Sequence, residues 1–512
     1  MKRLFAAIDA GSYEFEMKIF EIGSKSGIRE IDHIRRRIDL GDDTFHTGLI
    51  SYSKMNELCD ILKGFVDVMK TYRVEKYRAY GTSAIRETAN SNVVLDQIKL
   101  RTGLDISILS NSEQRFLEYK SVASRGERFE KLIEKGTAIV DIGGGSTQVS
   151  LFDKGSLITS VNLHLGILRI RDKLTRLQPD MSHYAGYISE IILNELHIFK
   201  KLYLSSYDIK NIIVVDDYIS VLIRSLSGKK DDDMISADMY REKLSQLMKV
   251  SSPYQMTGIA DIQEENASLL LPSALIIDHI LDATGAKKIW IPGVSLSDGI
   301  AYDYAQENKF ISSTHDFEKD ILSSVQYIAE RYNSSQTLSD ELLNAALNIF
   351  DGTKKIHGLG KRERLLLTLA AMMRDVGRYV TMSSPAEASF AIIMGSEIMG
   401  VSHEERKIIA TVVRNSYPND ISYTVFGDMD FDASSYMTAV KLTAILRLAT
   451  GLSRSTRKSY WAVKSVIDDE KLVITVSSSD NMMLEKGLFF ERADTFEEVF
   501  GLRPVLKVRN KV

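Results

Sequence analysis

Two stretches of the chain share one hydrophobic pattern. Residues 3–22 read RLFAAIDAGSYEFEMKIFEI, and residues 137–152 read TAIVDIGGGSTQVSLF. Each is an apolar strand, an Asp-x-Gly turn followed by Ser, and a second β-rich strand. Asp9 and Asp141 are separated by about one domain's length, so the repeat predicts two related lobes. Apolar residues at helical spacing follow the first hairpin in SYSKMNELCDILKGFVDVMKTYRV. YRAYGTSAIRETAN predicts a strand, a turn and a helix start, and DISILSNSEQRFLEYKSVAS a strand and a helix. Helices are expected near 181–203 and 236–249, and strands near 211–215 and 287–291. This alternation predicts an α/β class. Residues 316–450 then read almost entirely as helices, and the last stretch returns to strand-like text, as in YWAVKSVIDDEKLVITVSS.

A chain of 512 residues exceeds what one hydrophobic core supports, so several domains are expected. The net charge of −4 gives no global attraction to polyanions, and a phosphate-rich ligand must be held by a local site. Cys59 is the only cysteine, which excludes an intrachain disulfide and fits a reducing compartment. The apolar run Leu4 to Ile8 is too short for a signal peptide, and no run of about 18 apolar residues predicts a membrane span. A cytoplasmic protein is expected. No zinc spacing, Walker lysine motif or nucleic-acid module occurs.

A tight glycine turn between strands presents backbone N–H groups to phosphate oxygens, and an adjacent Asp can hold Mg²⁺. Asp9-Ala10-Gly11-Ser12 suits that task and equally suits a plain hairpin turn. Asp141-Ile142-Gly143-Gly144-Gly145-Ser146-Thr147 is more specific, because three glycines weaken a sheet unless backbone must approach something closely.

With Gly81-Thr82-Ser83-Ala84-Ile85-Arg86-Glu87-Thr88-Ala89-Asn90 and Ser110-Asn111-Ser112-Glu113-Gln114-Arg115, these turns form four ordered blocks. They resemble the Ppx/GppA phosphatase family, which carries Asp-Leu-Gly-Ser-Asn-Ser, Gly-Thr-Ser-Ala-x-Arg-x-x-x-Asn, Ser-Gly-x-Glu-Glu-Ala and Asp-Ile-Gly-Gly-Gly-Ser-Thr-Glu. Leu163-His164-Leu165-Gly166, with Arg169, matches a later family segment. The resemblance implies two ribonuclease-H-like lobes of the actin, Hsp70 and sugar-kinase superfamily, at 1–120 and 121–305. An all-helical HD-like domain at 306–450 and a small α/β domain at 451–512 would follow. It further implies hydrolysis of a terminal phosphoanhydride of polyphosphate or of guanosine penta- or tetraphosphate, with Mg²⁺ as cofactor and a homodimer formed through residues 306–512.

By the same resemblance, Asp9 and Asp141 hold the metal. Gly11, Ser12, Thr82, Ser83, Arg86, Gly143, Gly144, Gly145, Ser146 and Thr147 bind phosphate. Gln114 stands where the family has its water-activating Glu, and an amide cannot take a proton from water. Glu113 is either a substitute base or a capping residue for the helix that follows Ser110. Gln148 replaces a second carboxylate, so restoring carboxylates at both 114 and 148 should exceed the single change. Glu14 is expected to repel a polyanion, and Asp216-Asp217 to hinder phosphate approach. Arg374-Asp375, Ala388 and Ser416 stand where HD phosphohydrolases keep metal-binding residues, which points to a packing and dimerisation module. Lys354, Lys355, Lys361, Arg362 and Arg364 read as a solvated helix start or as a polyphosphate track. Two functions stay open, a slowed hydrolase and a protein that senses a phosphorylated ligand or partner. An ATP-using kinase shares the fold but has no adenosine-pocket text here.

Overall fold

The computed structural model describes residues 3–24, 27–177, 184–204, 207–216, 219, 234–249, 264–313, 315–334, 336–417, 429–453, 462–478 and 482–510. Asp217 and Tyr218 lie outside them. The chain divides into two compact units, Met1–Asp320 and Ile321–Val512.

The first unit contains the repeated device twice. In one lobe β1 (Arg3–Ala10), β2 (Glu14–Gly23), β3 (Gly27–Arg37), β4 (Lys76–Gly81) and β5 (Ser107–Ile108) form a sheet in the order β3-β2-β1-β4-β5. β1 pairs antiparallel with β2 and parallel with β4. In the other lobe β6 (Thr137–Ile142), β7 (Thr147–Asp153), β8 (Ser156–Leu163), β9 (Asn211–Val215), β10 (Met234–Ser236) and β11 (Lys288–Trp290) form a sheet in the order β10-β11-β9-β6-β7-β8. Here β6 pairs antiparallel with β7 and parallel with β9. β6, β7, β8 and β9 therefore repeat the roles of β1, β2, β3 and β4. Asp9 lies opposite Glu16, and Asp141 opposite Gln148, at the same place in the two hairpins. Only two residues of the strand expected in DISILS join the ladder, Ser107 and Ile108.

Each lobe has its own apolar core. One gathers Ile8, Phe15, Ile19, Leu58, Leu62 and Ile98, and the other Val140, Val149, Ile192, Ile212, Tyr240 and Ile277. The helix Leu296–Glu307 follows the second sheet in sequence yet buries Leu296, Ile300 and Tyr304 against Phe5, Phe20 and Leu117 of the first lobe. The last helix of lobe II thus packs on lobe I, and the first compact unit runs on to Asp320. Gly299 permits this, since a Cβ there would lie 2.0 Å from the Leu117 carbonyl oxygen.

The second unit is helical from Gln336–Gly352 to Ala433–Thr450. It ends in β12 (Ala462–Asp468), β13 (Lys471–Ser478) and β14 (Arg503–Asn510), with the helix Met483–Phe500 before the last strand. These helices and the sheet lie in one compact unit, Ile321–Val512. Gly352 lies so close to Ser465 of β12 that a Cβ would come within 2.6 Å of its carbonyl. Of the basic residues near 354–364, Arg362 pairs with Glu405 at 2.6 Å and Arg364 with Asp351 at 2.8 Å. No helix among the described residues is long and apolar enough to cross a membrane.

Candidate active site

The two Asp-x-Gly turns and the Gly-Thr-Ser-Ala segment line one cavity of about 140 Å³ in the first unit. Asp9, Gly11, Ser12, Thr82, Ser83, Arg86, Gln114, Asp141 and Gly143 through Ser146 all face it. That volume takes a phosphoryl group and its nearest waters.

Ser12 joins the first turn to the helix start behind Gly81. Its Oγ lies 2.7 Å from Ser83 Oγ and accepts from the Ala84 N–H at 3.1 Å. The Thr82 N–H donates to the Ala10 carbonyl at 3.2 Å, continuing the β1–β4 ladder into the turn. Tyr13 also lines the cavity, and the guanidinium of Arg37 lies 4.5 Å from its ring centre. Glu14 does line the cavity, but Arg35 pairs with it at 3.2 Å and offsets part of the expected repulsion.

The second turn is held from its carbonyl side. Gly143 N–H closes the turn onto the Ser146 carbonyl at 2.9 Å. The N–H groups of Ile167 and Leu168, at the start of the helix Ile167–Leu177, donate to the carbonyls of Gly143 and Gly144 at 3.2 and 3.0 Å. Arg169 Nε donates to the Gly145 carbonyl at 2.7 Å, and its Nη2 reaches Glu87 of the first lobe at 2.6 Å. This contact needs Gly166, because a Cβ there would lie 2.2 Å from the Gly144 carbonyl oxygen. With those carbonyls and the Gly143 N–H engaged, the turn can offer an anion only the N–H groups of Gly144 to Ser146.

Arg115 occupies the centre of the site. The helix Asn111–Ala123 directs it inward, and its side chain is 5% exposed. Nη1 donates to Asp141 Oδ2 and, at 3.0 Å, to Glu118 Oε2. Nη2 reaches Ser146 Oγ at 3.2 Å. Gln114 Nε2 donates to the other Glu118 oxygen at 3.0 Å. Two buried carboxyl groups thus share one guanidinium. Burial would raise the Glu118 carboxyl, but Arg115 and the amide of Gln114 hold it below the usual range. Burial pushes Asp141 well above its usual value despite Arg115, and the neighbouring Glu118 adds to the rise.

The family model described as the Ppx/GppA phosphatase family matches residues 18–308, and the family's domain III matches 322–491. The chain belongs to the Ppx/GppA phosphatase family. A guanosine-5'-triphosphate,3'-diphosphate pyrophosphatase of Vibrio atlanticus is 22% identical over 497 residues, covering 95% of each chain. The protein of that name from Pseudoalteromonas translucida is 20% identical over 463 residues, 88% of this chain and 86% of its own. Among solved structures, an exopolyphosphatase from Cytophaga hutchinsonii superposes with a TM-score of 0.53 at 20% identity, covering 60% of this chain and all of its own. An Aquifex aeolicus member of the family superposes at 0.50 and 19% identity, covering 60% of this chain and 99% of its own. The two lobes are the family's actin-like fold, and the second unit is its domain III.

Several residues that the Ppx/GppA pattern singles out stand outside the cavity lining. Thr147 begins β7 and gives its hydroxyl to the Leu165 carbonyl. Gln148 is 3% exposed, and its amide donates to Ser160 of β8. Glu113 caps its helix: one carboxylate oxygen accepts from Ser110 N–H at 3.0 Å and from Ser110 Oγ at 2.5 Å. Arg86 lines the cavity while tied to the Leu109 carbonyl at 2.7 Å and to Asn111 Oδ1. Asp216 also lines it, with its carboxylate accepting from Ile219 N–H and Ser273 Oγ, both at 2.6 Å.

Arg115 and Glu118 were missed by the motif reading. The signal was in the text, since the block Ser-Gly-x-Glu-Glu-Ala ends here in Arg115 rather than Ala. The donor set at Asp141 does not fit Mg²⁺. That ion takes hard oxygen ligands, and the Asp141 Oδ2 that would hold it already accepts from the Arg115 guanidinium, itself a cation.

Proposed function

We propose that the cleft binds the terminal phosphates of inorganic polyphosphate or of guanosine pentaphosphate and hydrolyses the end phosphoanhydride slowly. The observation that carries this reading is the convergence of both glycine turns, Ser83 and Arg86 on one small polar cavity. Membership of a phosphatase family, and relatives named for guanosine pentaphosphate and polyphosphate, support the substrate class. Phosphoryl transfer depends mainly on positioning and charge neutralisation, and the turns with Arg115 and Arg86 supply both. Proton removal is the weak step. Gln114 can orient a water through its amide oxygen but cannot accept its proton, and Glu118, held ionised by Arg115, is a poor base.

The test returns the base while keeping the amide–carboxylate hydrogen bond in reverse. Gln114→Glu with Glu118→Gln should raise phosphate release from polyphosphate about 10²-fold. A second reading, a sensor of a phosphorylated ligand, is favoured by the Arg115 clasp on Asp141. Tight tripolyphosphate binding with no phosphate release from wild type or the exchanged variant would establish that reading instead.

A further inference from the structure

The carboxylate to which the family pattern assigns a divalent ion already has a cation supplied by the chain. Arg115 is buried, bonds Asp141 and Glu118 through one nitrogen, and reaches Ser146 of the glycine turn through another. Its Nε–H is buried with no acceptor among the described residues. A planar guanidinium keeps its charge at any working pH and matches carboxylate and phosphate geometry. A buried arginine at a position that the family pattern gives to Ala is costly unless it is paired, and Glu118, three residues on, supplies the second partner. The pair Arg115–Glu118 therefore reads as one device, placed against Asp141 and opening on the cavity.

We propose that Arg115 replaces the divalent cation, so that this cleft binds a terminal phosphate without Mg²⁺. For its ligand the proposal rests on the function proposed above, whereas the exclusion of metal stands on Arg115, Glu118 and Asp141 alone. A guanidinium neutralises and orients a phosphate through its N–H groups. It does not make a bound water acidic as a metal ion does, in keeping with a site that also lacks the family's base at 114.

Two measurements test it. Electron paramagnetic resonance with Mn²⁺ as probe should find no stoichiometric ion on the wild-type chain. Arg115→Ala should gain one, and Arg115→Lys, which keeps the charge, should not. Calorimetry with tripolyphosphate should give the same wild-type affinity in EDTA and in Mg²⁺. Arg115→Ala should lose at least about tenfold in EDTA and recover part of it with Mg²⁺. The wild-type measurements need no variant, so a misfolded Arg115→Ala does not remove the test. One Mn²⁺ on the wild type, lost in Asp141→Asn, would overturn the proposal, as would tripolyphosphate binding that requires Mg²⁺. Exclusion of Mn²⁺ with no tripolyphosphate binding in either buffer would sink the phosphate reading and leave the cation assignment standing.

Discussion

Asp141 in the first unit and Asp375 in the second each lie against an arginine, and the surroundings of the two pairs differ. Arg115 bonds Asp141 directly at the wall of a cavity that glycine turns, hydroxyls and the carboxylates of Asp9, Glu14, Glu16 and Asp216 also line. Arg374 is the residue next to Asp375 and donates to its Oδ1 at 2.6 Å. Arg378 Nε and the Tyr417 hydroxyl use the same oxygen, at 2.9 and 3.1 Å, and the Arg374 guanidinium lies 4.1 Å from the centre of the Tyr417 ring. Burial would raise the Asp375 carboxyl, but Arg374 and Arg378 hold it below the usual range. One arginine–aspartate pair therefore opens on a polar cavity, and the other belongs to a packed polar knot. An arginine beside an Asp says little by itself, and what decides its role is whether backbone donors and open volume lie on its far side.

The largest effect expected from breaking this contrast is on stability. Arg374→Ala removes the ring contact and leaves Asp375 with fewer donors, so it should cost the second unit about 3 kcal/mol in urea unfolding. Tripolyphosphate affinity should stay as it is. A tenfold loss of affinity in a folded Arg374→Ala protein would show that the knot acts on the cleft.

Next comes the turn itself. Gly166→Ala forces the helix Ile167–Leu177 away from the Gly144 carbonyl and moves the loop that it holds. Phosphate release should fall about 10²-fold, the scale set by misplacing a site by about 1 Å. Release within twofold of wild type would mean that the turn does not depend on this support.

Gln148→Glu sharpens the boundary of the site. Because Gln148 faces Ser160 inside the sheet, the change buries a carboxylate and should cost about 2 kcal/mol without raising turnover. The double change at 114 and 148, expected from the motif to exceed the single one, should therefore fall below it. A gain in turnover from Gln148→Glu would place that side chain at the reacting water after all.

The smallest effect is a pH slope. The helix that carries Gln114, Arg115 and Glu118 also carries Tyr119, whose hydroxyl meets His315 at 2.6 Å and Asp320. Burial would lower the His315 value, but Asp320 and Glu130 outweigh it and raise it above the usual 6.5. A raised histidine contributes stability that is fully present below about 6.5 and is lost as pH climbs through the folded value. Thermal unfolding of the first unit should reflect that loss, and His315→Gln should flatten the slope. An unchanged slope in the variant would assign the dependence to other groups.

The sequence by itself determined the elements and their repetition. Apolar strands broken by Asp-x-Gly turns specify hairpins locally, because glycine and hydrogen-bond alternation act over a few residues. The strands near 211–215 and 288–290, and the helix Ala237–Met248, fell where periodicity put them for the same reason. Gly11, Ser12, Ser83 and Gly145 were legible as cavity residues, because a turn displays its own backbone wherever it lies. The tertiary structure alone decided which side chains from distant segments meet. Gln148 and Thr147 sit beside the glycine turn in sequence, yet the pleat and the β7–β8 pairing turn them away from the cavity. Arg115 and Glu118 read as ordinary helix residues, and their partner Asp141 is reached only by the packing of that helix on the second sheet. A buried charge takes its meaning from its neighbours, and these neighbours are brought together by the fold rather than by order along the chain.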